Sequence, residues 1–317
     1  MREELIISGR MNPMVDPNLN IWHWQIPTYL FLGGIAAGIL FFASLYYIMG
    51  REKKYTAAIK WAPLLTPFLL ALGLGALFLD LNHKAFFWQL YLTIRFESPM
   101  SWGAWILMII TPLSVIWSAT WLKELFPGWK WKYPILDQWE AYFIKHRFII
   151  AWIMLIASVI LGVYTGILLS AFNARPLWNT SILGPLFFAS SLSTGAAVIM
   201  FMAKSHLERN IFSRIDLIMI AIELFLIVHM FMGFQASTQV QIDAANMFLG
   251  GPYTEVFWIF VVFIGLLLPA FLEVLELLGY KIPIVLTSAL VLTGGLFLRF
   301  IIVYAGQASR LLEYVPL

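Results

Sequence analysis

The sequence contains no cysteine among its 317 residues. This absence excludes disulfides, thiolate metal sites, iron–sulfur clusters ligated by cysteines of this protein, and covalently attached c-type haem. Charge is also scarce, since Asp, Glu, Lys and Arg make up 12% of the residues, whereas 61% are hydrophobic and the mean hydropathy is +0.84. A water-soluble fold of this length needs more polar surface than that. The composition therefore indicates an integral membrane protein.

Two further absences concern the N-terminus and the basic residues. Residues 1–20 have no apolar core followed by a small-residue cleavage site, so the first apolar run is predicted to be a retained helix rather than a signal peptide. The net charge is +3 and the pI is about 9.0. The Lys and Arg residues are nevertheless grouped in particular loops, and no nucleic-acid partner is expected.

What the sequence does contain is eight long apolar runs. They lie near 26–49, 61–79, 101–122, 148–172, 182–203, 215–236, 256–272 and 282–305. Each is long enough to cross about 30 Å of hydrocarbon at about 1.5 Å per residue. Because backbone groups in lipid must be hydrogen-bonded internally, all eight are predicted to be helices. The longest connections are too short for a soluble domain, and the Trp- and Lys-rich segment 123–147 is predicted to lie at the membrane interface.

The positions of Lys and Arg predict the orientation of these helices. Thirteen basic residues fall in or beside the loops after the first, third, fifth and seventh runs, and six fall on the opposite side. Cytoplasmic loops carry the excess of positive charge in multi-pass proteins. Both termini are therefore predicted to be extracytoplasmic, and the face that carries them is called the predicted outer face below.

Polar residues within the runs collect near this predicted outer face. They are His23, Gln25 and Tyr29 around the start of the first run, Asp80 at the end of the second, Tyr164 in the fourth, His229 and Gln235 in the sixth, and Arg299 in the eighth. An ionisable group at the bilayer centre costs about 2.5 to 3.5 kcal/mol on insertion scales, so it usually faces a partner or a cavity. One interpretation is structural, with Asp80 and Arg299 paired or close to the headgroups.

The other interpretation is a polar pocket for a quinone, which needs hydrogen-bond donors for its carbonyls, a proton route and an apolar exit for its tail. Tyr164 suits that role because a phenol donates a hydrogen bond while its ring packs against the quinone face. Nearer the predicted inner face, Glu223 is either a proton-relay carboxylate or a protonated acid bonded to a neighbouring helix. Gly34-Ile-Ala-Ala-Gly38 and the small residues of 193–197 favour close helix packing.

Three other functions fit parts of this pattern. A transmembrane haem needs axial histidines at matching depth, but of the five histidines only His229 lies well inside a run. A secondary transporter would also place ionisable residues within the membrane, although matched Gly- or Pro-broken helices are not evident in the two halves. A passive membrane anchor would need no quinone chemistry at all.

Five segments resemble one known family. They are WHWQIPTYLFLGGIAAG (22–38), LDLNHKAFFWQLYLTIRFESPMSWGAW (79–105), LLSAFNARPLWN (168–179), SSLSTGAA (190–197) and GGLFLRFIIVYAGQ (294–307). Together, and in this order among eight runs, they resemble the NrfD/polysulfide reductase membrane-subunit family. The resemblance implies two four-helix bundles, at 26–172 and 182–305, joined by an outer loop at 173–181 and flanked by extracytoplasmic segments at 1–25 and 306–317.

The resemblance also implies a function. Such a protein is the quinone-reactive anchor of a respiratory oxidoreductase in the cytoplasmic membrane of a prokaryote, exchanging electrons between menaquinone or ubiquinone and an extracytoplasmic, ferredoxin-like iron–sulfur subunit. A molybdopterin or cytochrome catalytic subunit is expected beyond that partner. No metal or haem is expected in this protein, because the clusters belong to another subunit.

Site residues follow from the same resemblance. Tyr164 is expected to contact the quinone, and His23, Gln25 or Tyr29 to supply a further donor from the first helix. Asp80 and Arg299 are expected to belong to a proton path, with proton movement as a further possibility through Glu223. The corner at 175–179 is expected to fix the end of the fourth helix, to anchor it at the interface and to offer a docking surface to the iron–sulfur subunit.

Overall fold

The computed structural model describes residues 21–310 and contains eight helices in that range that are long and apolar enough to cross a membrane. In sequence order they are α1 (Gln25–Ile48), α2 (Ala57–Asp80), α3 (Pro99–Leu125), α4 (Arg147–Ser170), α5 (Leu183–Met202), α6 (His206–Gln235), α7 (Thr254–Leu277) and α8 (Ile284–Ala308). The all-helical architecture predicted from the apolar runs is confirmed. Most of the expected N-terminal segment, 1–25, and of the C-terminal tail, 306–317, lies outside the described residues.

Two of the long helices depart from regular α geometry beside prolines. The second begins with a π turn over Ala57–Trp61 and a 3-10 turn over Ala62–Leu65 before it becomes α-helical over Thr66–Asp80. In α7 the segment Phe257–Leu267 is π-helical and is followed by α-helix over Leu268–Leu277. Pro63, Pro67 and Pro269 lie at or just after the transitions, where a missing N–H donor makes regular i to i−4 bonding impossible.

Shorter helices lie between the membrane-crossing ones. They are Lys84–Phe86 (3-10), Gln89–Leu92, Pro134–Lys145 and Gln239–Asn246. The helix over Pro134–Lys145 belongs to the Trp- and Lys-rich segment, and its buried Glu140 accepts hydrogen bonds from Trp131 at 2.9 Å and from Lys123 at 2.6 Å. This segment is therefore tied to the end of α3 through Lys123, whose side chain is 42% exposed.

The helices pack as two rings of four. In the first ring α1 contacts α2 and α4, and α3 contacts the same two helices. In the second ring α5 contacts α6 and α8, and α7 contacts those two. The rings meet where α1 and α4 pack against α5 and where α1 packs against α8. The two-bundle arrangement thus has α1 and α5 at its centre.

Small residues allow α1 and α5 to approach closely. A Cβ atom added to Gly195 would lie 2.7 Å from the Cα atom of Gly38, and one added to Gly34 would lie 2.8 Å from the Oγ atom of Ser191. Real Cβ atoms do not approach other heavy atoms so closely, so the backbones are in contact as in other small-residue crossings. The packing role predicted for these glycines is confirmed.

The bundles are also joined at the predicted inner face. The buried carboxylate of Glu208, in the first turn of α6, accepts hydrogen bonds from the backbone N–H groups of Ala57 at 3.3 Å and Ala58 at 2.9 Å. A carboxylate at a helix N-terminus satisfies N–H groups that have no partner within the helix and interacts favourably with the helix dipole. α6 begins at His206, well before residue 215, where the apolar run that predicted it starts, and this extension carries Glu208.

The corner at 175–179 joins the bundles at the opposite face. Arg175 donates a hydrogen bond of 2.9 Å to the carbonyl of Ser309, and the indole of Trp178 donates one of 2.8 Å to the carbonyl of Ile302. Residues 175–178 are all buried, and only Asn179 of the corner is exposed. The expectation of an interfacial docking surface here was wrong, because these side chains are used for internal contacts.

Candidate functional site

The ring of Tyr164 packs against α3 at Gly103, which has no side chain. The tyrosine is 8% exposed, and a Cβ atom added to Gly103 would overlap the Tyr164 ring. The ring therefore occupies the space that any other residue at position 103 would fill. It is fixed between α3 and α4 in the predicted outer half of the first bundle.

A groove of about 500 Å³ runs along one side of this ring. It is lined by Glu97, Pro99, Trp102, Val159, Ile160, Val163, Tyr164 and Ile167. Most of this surface is apolar, and Ile160 and Ile167 are 43% and 46% exposed on the outside of α4. The groove therefore opens sideways between α3 and α4, toward the region that lipid would occupy, with a phenol in its wall.

Tyr29 of α1 lies near two other tyrosines, Tyr164 and Tyr91. Tyr29 of α1 is buried, and its hydroxyl group interacts electrostatically with those of Tyr164 and Tyr91. Tyr29 also packs against α2, because its Cδ2 atom lies 3.6 Å from the position of a Cβ atom at Gly73. Phenols from α1, α4 and the short helix Gln89–Leu92 thus converge in the first bundle.

Asp80, His23 and Gln25 lie toward the predicted outer end of this cluster. Asp80 follows Gly73 by seven residues, which places the two on the same side of α2, and its carboxyl group interacts electrostatically with His23. Among residues 21–310 the buried Oε1 atom of Gln25 has no hydrogen-bond partner. Such an orphan acceptor is rare in folded proteins and is usually satisfied by a ligand or by water.

Arg299 occupies a different place from the one expected. Its guanidinium donates hydrogen bonds to the Oγ atom of Ser190 at 2.5 Å and to the carbonyl of Phe187 at 3.2 Å, and it lies 5.2 Å from the centre of the Phe187 ring. Asp80 takes part in none of the salt bridges found among residues 21–310. The proposed pairing of Asp80 with Arg299 is therefore wrong, because Arg299 is fully buried against α5 in the second bundle.

His229 and Gln235 also lie outside the cluster. Both side chains are exposed on α6, and the His229 ring stacks on that of Phe225, with centroids 5.8 Å apart. Depth in the membrane was predicted by their sequence positions, but the direction in which each side chain points depends on the rotation of α6. Of the eight polar residues grouped by depth, the structure brings Tyr29 and Tyr164 together, with Asp80 and His23 as neighbours.

A second polar region fills the predicted inner half of the second bundle. Asp216 and Glu273 are buried neighbours, Asp216 lies close to Ser193, and Glu223 lies between Asp216 and Arg299. Within the described part of the sequence, several buried oxygens here lack hydrogen-bond partners. They belong to Ser213, Asp216, Glu223, Glu273, Glu276, Thr287 and Ser288.

Asp216 lies near the start of an apolar run and was not predicted as a site residue from the sequence. One signal was available, since Asp216 precedes Glu223 by seven residues and therefore lies on the same face of a helix. Glu273, near the predicted inner end of α7, was likewise given no role from the sequence. Between residues 21 and 310, no three His, Asp or Glu side chains come together in a group that could hold a metal ion.

Eight apolar helices, a lateral groove with a phenol in its wall and a buried line of carboxylates define a multi-pass helical membrane protein with polar regions inside both bundles. Comparison with known proteins then gives its family. The model of the family described as "Polysulphide reductase, NrfD" matches residues 13–309. The protein belongs to this family and is a multi-pass protein of the bacterial inner membrane.

Three curated relatives are similar along nearly their whole length. The C subunit of polysulfide reductase from Wolinella succinogenes is 33% identical over 307 residues, which are 92% of the present sequence and 95% of the relative. Protein NrfD of Escherichia coli is 32% identical over 305 residues, covering 91% and 96%. The NrfD homologue of Haemophilus influenzae is 31% identical over 320 residues, covering 94% and 97%.

Proposed function

We propose that this protein is the quinone-reactive membrane subunit of a respiratory oxidoreductase. The observation that carries the proposal is the groove between α3 and α4, which is apolar, open toward lipid and bordered by the buried Tyr164. A quinone reaches its site through the bilayer, so its site needs a lateral opening for the isoprenoid tail and a donor at the end for the headgroup. A pocket of about 500 Å³ is within the usual range for small-molecule sites.

Tyr164 would donate a hydrogen bond to one quinone carbonyl, and the cluster of Tyr29 and Tyr91 would extend the donor line toward Asp80 and His23. Full reduction of a quinone takes up two electrons and two protons, and oxidation of the quinol releases them. Asp80, His23 and the groove-lining Glu97 are titratable groups toward the predicted outer end of the site, so they are suited to exchange these protons with the outside.

Electrons must come from or go to another subunit, because this one has no cysteine to hold a cluster. The Wolinella relative is, by its name, one of several subunits of a polysulfide reductase. An extracytoplasmic iron–sulfur subunit is the proposed partner, with a molybdopterin or cytochrome subunit beyond it. The connection between α2 and α3 offers a surface next to the groove, with Phe86, Phe87 and Trp88 all exposed.

The Tyr164→Phe and Asp80→Asn variants are expected to slow quinone turnover in the assembled complex without preventing assembly. Loss of one hydrogen bond to the quinone removes about 0.5–1.5 kcal/mol, which corresponds to roughly a twofold to tenfold decrease for Tyr164→Phe. The measurement is steady-state oxidation or reduction of a soluble quinone analogue by the purified complex. Tyr280→Phe is the matched control, because Tyr280 is exposed just beyond the far end of α7.

A passive anchor and a transporter give a different result. Both predict that quinone analogues bind without specificity and that neither Tyr164→Phe nor Asp80→Asn changes turnover. Wild-type turnover in both variants, with Tyr280→Phe also normal, would reject the assignment of the site.

We also propose that the second bundle carries protons from the predicted inner face toward Arg299. Glu276 interacts with His206 and Arg209 at that face, and the buried Asp216–Glu273 pair is followed by Glu223. Buried polar oxygens without protein partners are commonly bridged by internal water, and adjacent carboxyl groups connected by water pass protons. The orphan oxygens of this region support such a path.

Glu223→Gln is expected to reduce proton uptake from the predicted inner face, because an amide cannot bind and release a proton at this point of the path. Turnover-coupled proton uptake is measured with a pH dye trapped in proteoliposomes that contain the whole complex. Glu255→Gln is the matched control, since Glu255 is exposed on α7. Unchanged proton movement per electron in Glu223→Gln and Asp216→Asn contradicts the proposed path.

A further inference from the structure

A second cavity lies at the predicted inner face and takes no part in the proposed quinone chemistry. Its volume is about 760 Å³, and it is lined by Tyr47, Ile48, Gly50, Arg51, Glu52, Lys53, Lys54 and Phe148. These residues come from the end of α1, the turn that follows it and the start of α4. The cavity therefore lies where two membrane-crossing helices reach the level of the lipid headgroups.

The turn after α1 fixes the basic rim of this cavity. Gly50 donates its N–H to the carbonyl of Tyr47 at 2.9 Å, and Arg51 donates to that of Tyr46 at 3.0 Å. This pair of bonds is the Schellman arrangement that ends a helix. Lys54 then bonds back to the carbonyl of Arg51 at 3.0 Å, so the backbone of the rim is held in a closed loop.

The charge of the rim is strongly positive. Arg51, Lys53 and Lys54 are all cationic and line the cavity, and Glu52 is the single acid among them. None of these three cations forms a salt bridge among residues 21–310. Near the connection between α3 and α4, by contrast, Lys123 is bound to both Asp137 and Glu140 at 2.6 Å. The rim after α1 thus leaves its cations available to an external anion.

Arg147 precedes the lining residue Phe148 but does not itself line the cavity. Its guanidinium carbon lies 3.7 Å from the centre of the Trp121 ring, and the side chain lies beside the hydroxyl of Tyr47. Its Nε–H group is buried and has no hydrogen-bond acceptor among the described residues. Arg147 also donates a hydrogen bond to the carbonyl of Thr120, so it is held within the protein and adds positive charge behind the cavity.

We propose that this cavity binds the phosphate group of an anionic phospholipid. Arg51, Lys53 and Lys54 would contact the phosphate, while Ile48 and Phe148, which is 55% exposed, would contact the start of an acyl tail. Basic pockets between membrane-crossing helices are known headgroup sites, and each Lys or Arg near an anionic surface adds to binding. The apolar half of the wall distinguishes a lipid from free phosphate. This proposal does not depend on the quinone function.

The experiment uses the full-length protein in its purified complex and native mass spectrometry with added phosphatidylglycerol or phosphatidylcholine. The triple variant Arg51→Gln, Lys53→Gln, Lys54→Gln is compared with Lys130→Gln, Lys132→Gln, Lys145→Gln, which removes the same charge from the same predicted face. The wild type and the second variant are expected to retain phosphatidylglycerol in preference to phosphatidylcholine. The first variant is expected to lose at least about tenfold of that preference.

Two outcomes would overturn the proposal. Equal loss of preference in both triple variants would mean that only the overall charge of the face attracts anionic lipid. Release of bound phosphatidylglycerol by inorganic phosphate at low millimolar concentration, with no dependence on acyl tails, would mean that the site takes free phosphate. Assembly of the complex checks that each triple variant is folded.

Discussion

Replacing Gly195 with alanine is expected to lower the free energy of unfolding by about 1–3 kcal/mol. The added methyl group would lie 2.6 Å from the carbonyl carbon of Gly38 and 2.8 Å from the backbone nitrogen of Ile39. Because these neighbours are backbone atoms, α1 and α5 must move apart. The variant is therefore expected to weaken the contact at the centre of both bundles. Unfolding in SDS, followed by tryptophan fluorescence, measures the effect.

Gly75→Ala provides the control for this prediction. Gly75 lies in α2, and nothing lies within 4 Å of a Cβ atom added there. Alanine has the higher helix propensity by about 1 kcal/mol, so this variant is expected to be as stable as the wild type or slightly more so. Equal stability of Gly195→Ala and Gly75→Ala would contradict the backbone contact between α1 and α5.

The second large effect is expected from Gly103→Ala, which should lower quinone turnover by about a hundredfold while leaving the complex assembled. The alanine methyl group would overlap the ring of Tyr164, and the ring must leave its place against α3. Displacement of a substrate-positioning group by about 1 Å can cost about a hundredfold in rate. Turnover of a quinone analogue by the purified complex is the measurement, with Gly75→Ala again as control.

A double variant separates this steric effect from general damage. If Gly103→Ala acts through the Tyr164 ring, then Gly103→Ala combined with Tyr164→Phe is expected to be about as slow as Gly103→Ala alone. Independent losses that multiply in the double variant would show that position 103 acts on another part of the site. Full activity of Gly103→Ala would count against Tyr164 as a quinone contact.

The sequence was sufficient for the number and approximate positions of the helices because hydrocarbon thickness and backbone hydrogen bonding leave few alternatives. The glycines at 34 and 38 were also interpretable, since small residues spaced four apart form one face of a helix. Depth along each helix followed from counting residues. These features depend on local spacing, and the sequence records local spacing directly.

The rotation of each helix about its axis, and the contacts between side chains of different helices, could not be predicted from the sequence to the same extent. Arg299 and Asp80 lie in the same predicted half of the membrane, but Arg299 is hydrogen-bonded to Ser190 of α5 and lies next to Gly34 of α1. The burial of Trp178 depends on the end of α8, which is more than a hundred residues away in the sequence. Single-sequence periodicity gives no information on such pairings, because an almost uniformly apolar helix has no distinct face.

Hydrogen bonds join the two bundles at both faces, and this limits how the bundles can move relative to each other. Glu208 binds the start of α2 at one face, while Gln307 at the end of α8 binds both the N–H and the carbonyl of Trp22 at the other, at 2.9 and 2.8 Å. Gly38 packs against Gly195 between these two contacts. The two bundles are therefore joined near both faces and at their centre. Rocking of one bundle against the other, as alternating-access carriers require, would break these hydrogen bonds. The proposed proton path is therefore expected to work by transfer between neighbouring groups, without movement of one bundle relative to the other.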